Sequence, residues 1–436
     1  MQIRIHPYGT QMAGATTLDR AALAPILFAI PTFAAMVALF PVIRLFLHGQ
    51  CCGLGGSTAM IMALGAIPAS ALGGPVLGVL LDSRLAGADI RQKGARICTL
   101  LIGGAIIPFA LLPFTLPAIL YLLAGVALCC GITGLRAVSL AWIEEAPESH
   151  PIRARLHAWR VGGTVAGLLV TSTLAALLHT PAETLTAHLT GIIIPAGAIW
   201  LSLLVLRNAP YPAMSQPLPP APGHSAPLAI NLPRLLNGLA NGLLITTGPL
   251  IVLRINGVGT SASLWALSAG LVLGAVLGLG MAMRLTDRYG ARAVWRGAII
   301  TGAGVVLAAI PLCALLAGTL PGAQVLVVML FFMGAAVAAD VTLMPLVEQA
   351  DSAVAPTLPA NTIIPVQDQN RATRNAWRGV PFQMVFGIGV SLLGWFTLQN
   401  GALPEVVLQH GALTAAFALP VAMLKLLAVT LWRDGK

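Results

Sequence analysis

The sequence predicts an all-α integral membrane protein of twelve transmembrane helices, arranged as two six-helix bundles. Three observations lead there. Of the 436 residues, 57% are hydrophobic and only 9% charged, whereas a soluble domain carries about 25% charged residues. So few charges cannot coat a surface in water, and lipid must be the solvent for most of the chain. Apolar runs of about 20 residues, the length that crosses roughly 30 Å of hydrocarbon, then recur along it. A polar, proline-rich break at 207–229 finally divides these runs six and six.

The first six spans fall at 21–47, 57–81, 97–113, 116–142, 157–179 and 187–206. The second six fall at 230–254, 261–284, 293–317, 322–346, 373–399 and 404–431. Between them Pro210, Pro212, Pro217, Pro219, Pro220 and Pro222 mark a solvated linker. The predicted domains are thus 1–206, a linker at 207–229, and 230–436. The 46 Gly and 31 Pro lie largely inside apolar segments, where transmembrane helices tolerate them.

A net charge of +10 raises nucleic acid as a partner, but the basic residues sit in short segments between apolar runs. That is the positive-inside pattern, and it excludes a nucleic-acid reading in favour of a lipid bilayer. With the N-terminus inside, twenty Lys and Arg fall on inside segments and only Arg44 and Arg254 on outside ones, with Arg136 and Lys425 within spans. Both termini are expected in the cytoplasm, as in a bacterial inner membrane. No signal peptide is expected, because Arg4, His6, Asp19 and Arg20 precede an apolar run without a small-residue cleavage site. The six Cys (Cys51, Cys52, Cys98, Cys129, Cys130, Cys313) lack metal-ligand spacing with His and read as buried or interfacial thiols. No phosphate-binding loop, His-Glu-x-x-His pair or nucleophile elbow occurs. Neither enzyme chemistry, a cofactor nor a metal is expected.

Both halves repeat one feature after their second span. In the first it is Gly78, Asp82 and Arg84, followed by Gly94 and Arg96; in the second, Gly280, Asp287, Arg288, Gly290 and Arg292. Glycine lets helices approach, Asp caps a helix N-terminus, and Arg pairs with acids or headgroups. The pattern suits a conformational latch; a plain anchored loop is the alternative.

These loops resemble the loop motif of the major facilitator superfamily. Within it, the chain is most similar to the glycoside-pentoside-hexuronide:cation symporters, the group of the melibiose permease. Further likenesses are Pro75 to Asp82 in the second span, Glu144, Glu145 and Glu148 with Arg153, Arg155 and Arg160, Asn237 to Gly242, and Asp340 with Asp351. The resemblance implies two rocking bundles around a central cavity and a sugar or glycoside as solute. It also implies two sodium-binding carboxylates in the second span, but those positions are Gly74 and Ser70. Neither offers an anionic oxygen, which leaves proton coupling, facilitated diffusion or efflux open.

Ionisable residues inside spans are functional candidates by default. Arg136, eight residues before Glu144, and Asp340, eight before Glu348, sit at similar depth in the fourth and tenth spans. Each lines the cavity as a gate or relay, or else snorkels to a loop charge. Asp340 is the coupling candidate, since burial raises a carboxylate's pKa; Arg136 suits an anionic or hydroxylated solute. Arg160 faces the cavity in the family it resembles, with a headgroup anchor as the alternative, and Trp159 beside it reads as interfacial. Glu144 and Glu145 form a gating network with Arg153 and Arg155, or a solvated cluster.

Asn237 and Asn241 share a helix face, with Thr246 at mid-span ahead of Gly248 and Pro249. They are candidate substrate groups, or simply helix packing; Ser70 is similar. The segment 347–372 lacks apolar periodicity and reads as a gate-associated loop. The function that follows is secondary transport of a small polar solute, with a proton as the candidate coupling ion. Efflux of amphipathic compounds, and a non-transporting sensor or assembly factor, are the alternatives.

Overall fold

The computed structural model describes residues 17–41, 73–80, 90–110, 118–145, 150–177, 185–208, 232–233, 235–241, 261–315, 320–353, 376–377, 380, 384 and 418–431. Among them every regular element is a helix. We label these α1 (Thr17–Val37), α2 (Ile90–Ala105), α3 (Ala118–Glu145), α4 (His150–Leu177) and α5 (Leu185–Asn208), then α6 (Ser261–Tyr289), α7 (Ala291–Leu315), α8 (Leu320–Ala353) and α9 (Ala418–Leu431). A short turn at Ile107–Ala110 extends α2, and residues 73–80 and 235–241 are also helical. Spans within α3, α6, α7 and α8 are long and apolar enough to cross a membrane. Large apolar side chains face outward: Val76, Leu100, Ile193, Trp200, Met281 and Met423 are each more than half exposed. A water-soluble protein would not carry such a surface; a lipid-facing one does.

The helices of each half pack on one another. In the first, α1 packs on α4 and α5, and α2 on α3 and α5, around Leu27, Phe28, Ile102, Leu135, Trp142 and Leu206. The α1–α4 contact is close because glycines line it. A Cβ on Gly163 would strike the Ala29 carbonyl oxygen, and one on Gly167 that of Phe33. Hydroxyls bridge the same seam, Thr32 Oγ1 lying 3.0 Å from the Arg160 carbonyl oxygen and Thr171 Oγ1 2.9 Å from that of Met36. In the second half, α8 packs on α6 and α7, and α9 on α7.

Several helices outrun the predicted spans. α2 begins at Ile90 rather than 97, so Arg91, Lys93 and Arg96 are helical rather than in a loop. The cause is local. Arg96 Nη2 donates to the Leu206 carbonyl at 2.7 Å and Gln92 Nε2 donates to the same oxygen, which satisfies the orphan C-terminal carbonyls of α5. α4 likewise starts at His150 and includes Arg153 and Arg155. α8 continues to Ala353, past Pro345, so the first residues of the expected 347–372 loop are helix; 354–372 and the linker 209–229 lie outside the described residues. The second-half motif is a helix end as well, since α6 runs through Asp287 and Arg288. Gly290 then turns the chain into α7 at φ 80°, a left-handed conformation that glycine adopts without strain. Its N–H caps the Thr286 carbonyl at 3.0 Å.

One end of the bundle carries the start of α4, the end of α6, the start of α7 and the end of α8. Arg153, Arg155, Arg284, Arg288, Arg292 and Arg296 gather there, and we call it the basic end. Here the two halves meet. Val161 of α4 packs with Ala275 and Leu279 of α6 and Ala338 of α8, flanked by Ala158 and Val165. Nearer the end, Ala154 joins Ala282, Ala291, Trp295 and Leu343.

Candidate functional site

The periodicity of α4 assigns its faces. Ala154, Ala158, Val161 and Val165 follow i, i+4, i+7, i+11 and meet the second half. Gly163 and Gly167 meet α1. Arg155, Trp159 and Ala166 are exposed on a third face, which leaves Trp159 on the lipid side. The remaining sector holds His157, Arg160, Thr164 and Leu168. His157 is fully buried, Arg160 is 5% exposed, and Leu168, further from the basic end, is 43% exposed.

Arg160 is buried rather than exposed at the bundle's end. Among the described residues its Nε and Nη2 are buried without a hydrogen-bond partner, and the like charge of Arg136 on α3 acts on it. Arg136 itself is half-buried and engaged in interactions of its own. Arg160 thus feels a second guanidinium of like charge from α3. A buried cation left with open donors is costly, and the arrangement favours a ligand rich in acceptor oxygens.

A second cluster lies inside the second half. Asp340 of α8 is 3% exposed and accepts from three residues. Asn237 Nδ2 reaches its Oδ2 at 2.9 Å and Oδ1 at 3.1 Å, Asn241 Nδ2 reaches Oδ2 at 3.3 Å, and Trp295 Nε1 reaches Oδ1 at 2.8 Å. The same two amides accept from Lys425 of α9, whose Nζ lies 2.7 Å from Asn241 Oδ1 and 3.2 Å from Asn237 Oδ1. Lys425 is 2% and Trp295 0% exposed. Carboxylate and ammonium thus meet through two oriented amides in a buried, charge-neutral group joining residues 235–241, α7, α8 and α9. Such a group is stable in a low-dielectric interior only because each polar atom is paired.

This geometry redistributes the residues expected from sequence. Asn237 and Asn241 do share a face, and their amides are bonded to Asp340 and Lys425, which groups them with the coupling candidate. Arg136 and Arg160 both lie in the first half, where the charge of one acts on the other; Asp340 is held inside the second half. Asp287 and Arg288 are exposed and make no hydrogen bond or ion pair among the described residues, while Arg292 is half-buried and engaged. Glu144 is half-buried and engaged, and the Glu145 side chain lies outside the described residues, as do Ser70, Thr246, Asp82 and Arg84. Sequence reasoning missed Lys425 and Trp295. The first had a signal, being a basic residue set inside the last span and away from its ends; a buried indole on a helix face has none. Cys98, Cys129 and Cys130 are free thiols.

No protein-family model matches the chain, and no curated relative matches it. Among solved structures, the chain is similar to the crystal structure of a bacterial homologue of the iron transporter ferroportin in its outward-facing state. The TM-score is 0.59 at 12% identity, covering 94% of this chain and 99% of that one. At that identity the likeness concerns the fold: an all-helical membrane protein of the major facilitator type.

Proposed function

We propose that the chain is a secondary transporter that moves a small polar solute by alternating access between two six-helix halves, 1–206 and 230–436, joined by the linker 207–229. The observation that carries this reading is Arg160. It is buried on the α4 sector between the α1 seam and the second-half face, and its Nε and Nη2 meet no acceptor among the described residues. The seam of Val161, Ala275, Leu279 and Ala338 closes the basic end, while Leu168 on the Arg160 sector is exposed further along. That is the form of a carrier open away from its basic end. By the positive-inside rule the basic end is cytoplasmic, and the form is then outward-facing in a bacterial inner membrane. Asp82, Arg84, Asp287, Arg288, Arg292, Glu144 and Glu145 are the gating candidates at that end.

A sugar or glycoside is the solute class that the melibiose permease-like motifs support, with Arg136 and Arg160 as its donors, and Asp340 is the coupling candidate. The test is uptake into proteoliposomes of a panel spanning neutral sugars, glycosides, hexuronates, other organic anions and cationic amphiphiles. Saturable uptake of one polar class, lost in Arg160→Gln, supports the reading. Uptake of amphiphiles alone, or of nothing by well-folded protein, refutes it.

A further inference from the structure

The polar cluster of the second half has a property that transport of a solute does not require. Its ammonium is contributed by the chain itself, on α9, and is held by oxygens alone: Oδ1 of Asn241 at 2.7 Å and Oδ1 of Asn237 at 3.2 Å. Both amides are turned the same way, oxygens toward Lys425 and nitrogens toward Asp340. Reversing either would set an NH2 against an ammonium and a carbonyl against a carboxylate, so the pairing fixes the orientation. Two carbonyl-type oxygens with a carboxylate behind them are what a hard cation takes as ligands. All four side chains are at least nine-tenths buried, and Trp295 supplies a further donor to the carboxylate.

We propose that Lys425 is a tethered counter-cation: its ammonium fills, from within the chain, a site that would otherwise bind a monovalent metal cation such as Na+. The native protein then binds no sodium at Asp340, because the single negative charge there is already matched. Removal of the ammonium alone uncovers the site, leaving two amide oxygens around the vacated volume and an uncompensated buried carboxylate. The inference goes beyond solute transport, and its test does not depend on flux.

The experiment uses the full-length protein in detergent, at constant ionic strength, with Na+, Li+, K+ or choline as the only monovalent cation. Thermal unfolding and binding of radiolabelled sodium are read on the native chain, Lys425→Gln, and Asp340→Asn/Lys425→Gln. The native protein should unfold at the same temperature in sodium and in choline and bind no label. Lys425→Gln should bind sodium and show an upward shift in unfolding temperature with Na+ or Li+, and the double variant should lose both. If Lys425→Gln folds only when Na+ or Li+ is present, while the double variant folds in choline, the proposal stands. It is overturned if the native protein binds sodium in an Asp340-dependent way, or if Lys425→Gln responds no more than the double variant. It is equally overturned if both variants fail to fold in every cation. A chain that moves no solute but passes this test would sink the transport reading and leave the cation site intact.

Discussion

Replacing Trp295 by Phe probes the buried cluster without altering any charge. The indole is fully buried and its Nε1 donates to Asp340 Oδ1 at 2.8 Å. Phe keeps an aromatic ring in place but cannot donate. A hydrogen bond to a charged group contributes about 1.5–3 kcal/mol. Oδ1 is not orphaned by the change, because Asn237 Nδ2 still reaches it at 3.1 Å, so about 1.5–2 kcal/mol is the relevant part of that range. The smaller ring leaves a void that adds about 1 kcal/mol. The sum, about 2.5–3 kcal/mol, is roughly a 100-fold shift in the unfolding equilibrium. Reversible unfolding in mixed micelles measures it. The same substitution in the neutral Asp340→Asn/Lys425→Met background loses only a neutral bond, and its cost falls by about 1 kcal/mol. Equal costs in the two backgrounds, or a cost below about 1 kcal/mol in the native one, would refute the claim that the indole serves a buried carboxylate.

Three other predictions concern different parts of the molecule. Gly290→Val should destabilise by about 1–2 kcal/mol through strain at φ 80°, and Gly290→Asn by less, since nothing lies within 4 Å of a Cβ there; denaturation curves of the three proteins decide it. On α6, Gly274→Ala drives a methyl into the Phe331 carbonyl of α8, whereas Gly280→Ala meets nothing within 4 Å. The first should fall in yield and unfolding temperature, and the second should match or exceed the native protein. Cysteines at Val161 and Ala338, across the closed seam, should cross-link in the solute-free protein and block uptake until reduced; a cross-link that leaves uptake unchanged would show that the seam does not open.

The parts of this fold that were legible in the sequence are those that solvent dictates. Apolar runs located the membrane-length stretches within α3, α6, α7 and α8, because hydrocarbon tolerates no unpaired backbone, but not all their ends. Among the described residues the stretch in α6 begins at Ala269 and that in α7 stops at Ala308, against 261 and 317 expected. Helix ends were less legible, since they are set by partners remote in sequence. α2 gains its first turns because Arg96 and Gln92 find carbonyls near residue 206, more than a hundred positions away. The charges followed the same division. That Asp340 and Arg136 are candidates was readable from the cost of placing any ionisable group in a span, while Arg160 entered through the family resemblance. What each does was not, because that depends on which helices stand beside them.

The two halves treat buried charge in opposite ways, and this bears on how they move. In the second half, Asp340 and Lys425 neutralise each other through amides and bind four helical segments together, so breaking any member leaves an uncompensated charge inside. That penalty favours motion of the half as one body. In the first half, Arg136 and Arg160 share one sign, and the Arg160 donors remain open. Their repulsion is relieved by anything that brings acceptor oxygens between α3 and α4. On the reading proposed above, a solute bound there would change the electrostatics of the first half and leave those of the second alone. Among the described residues the seam around Val161 is apolar, with Ala275, Leu279 and Ala338 packed against it. A rigid neutral half, a charged half that a solute can complete, and an apolar seam between them are together the physical requirements for rocking driven by binding.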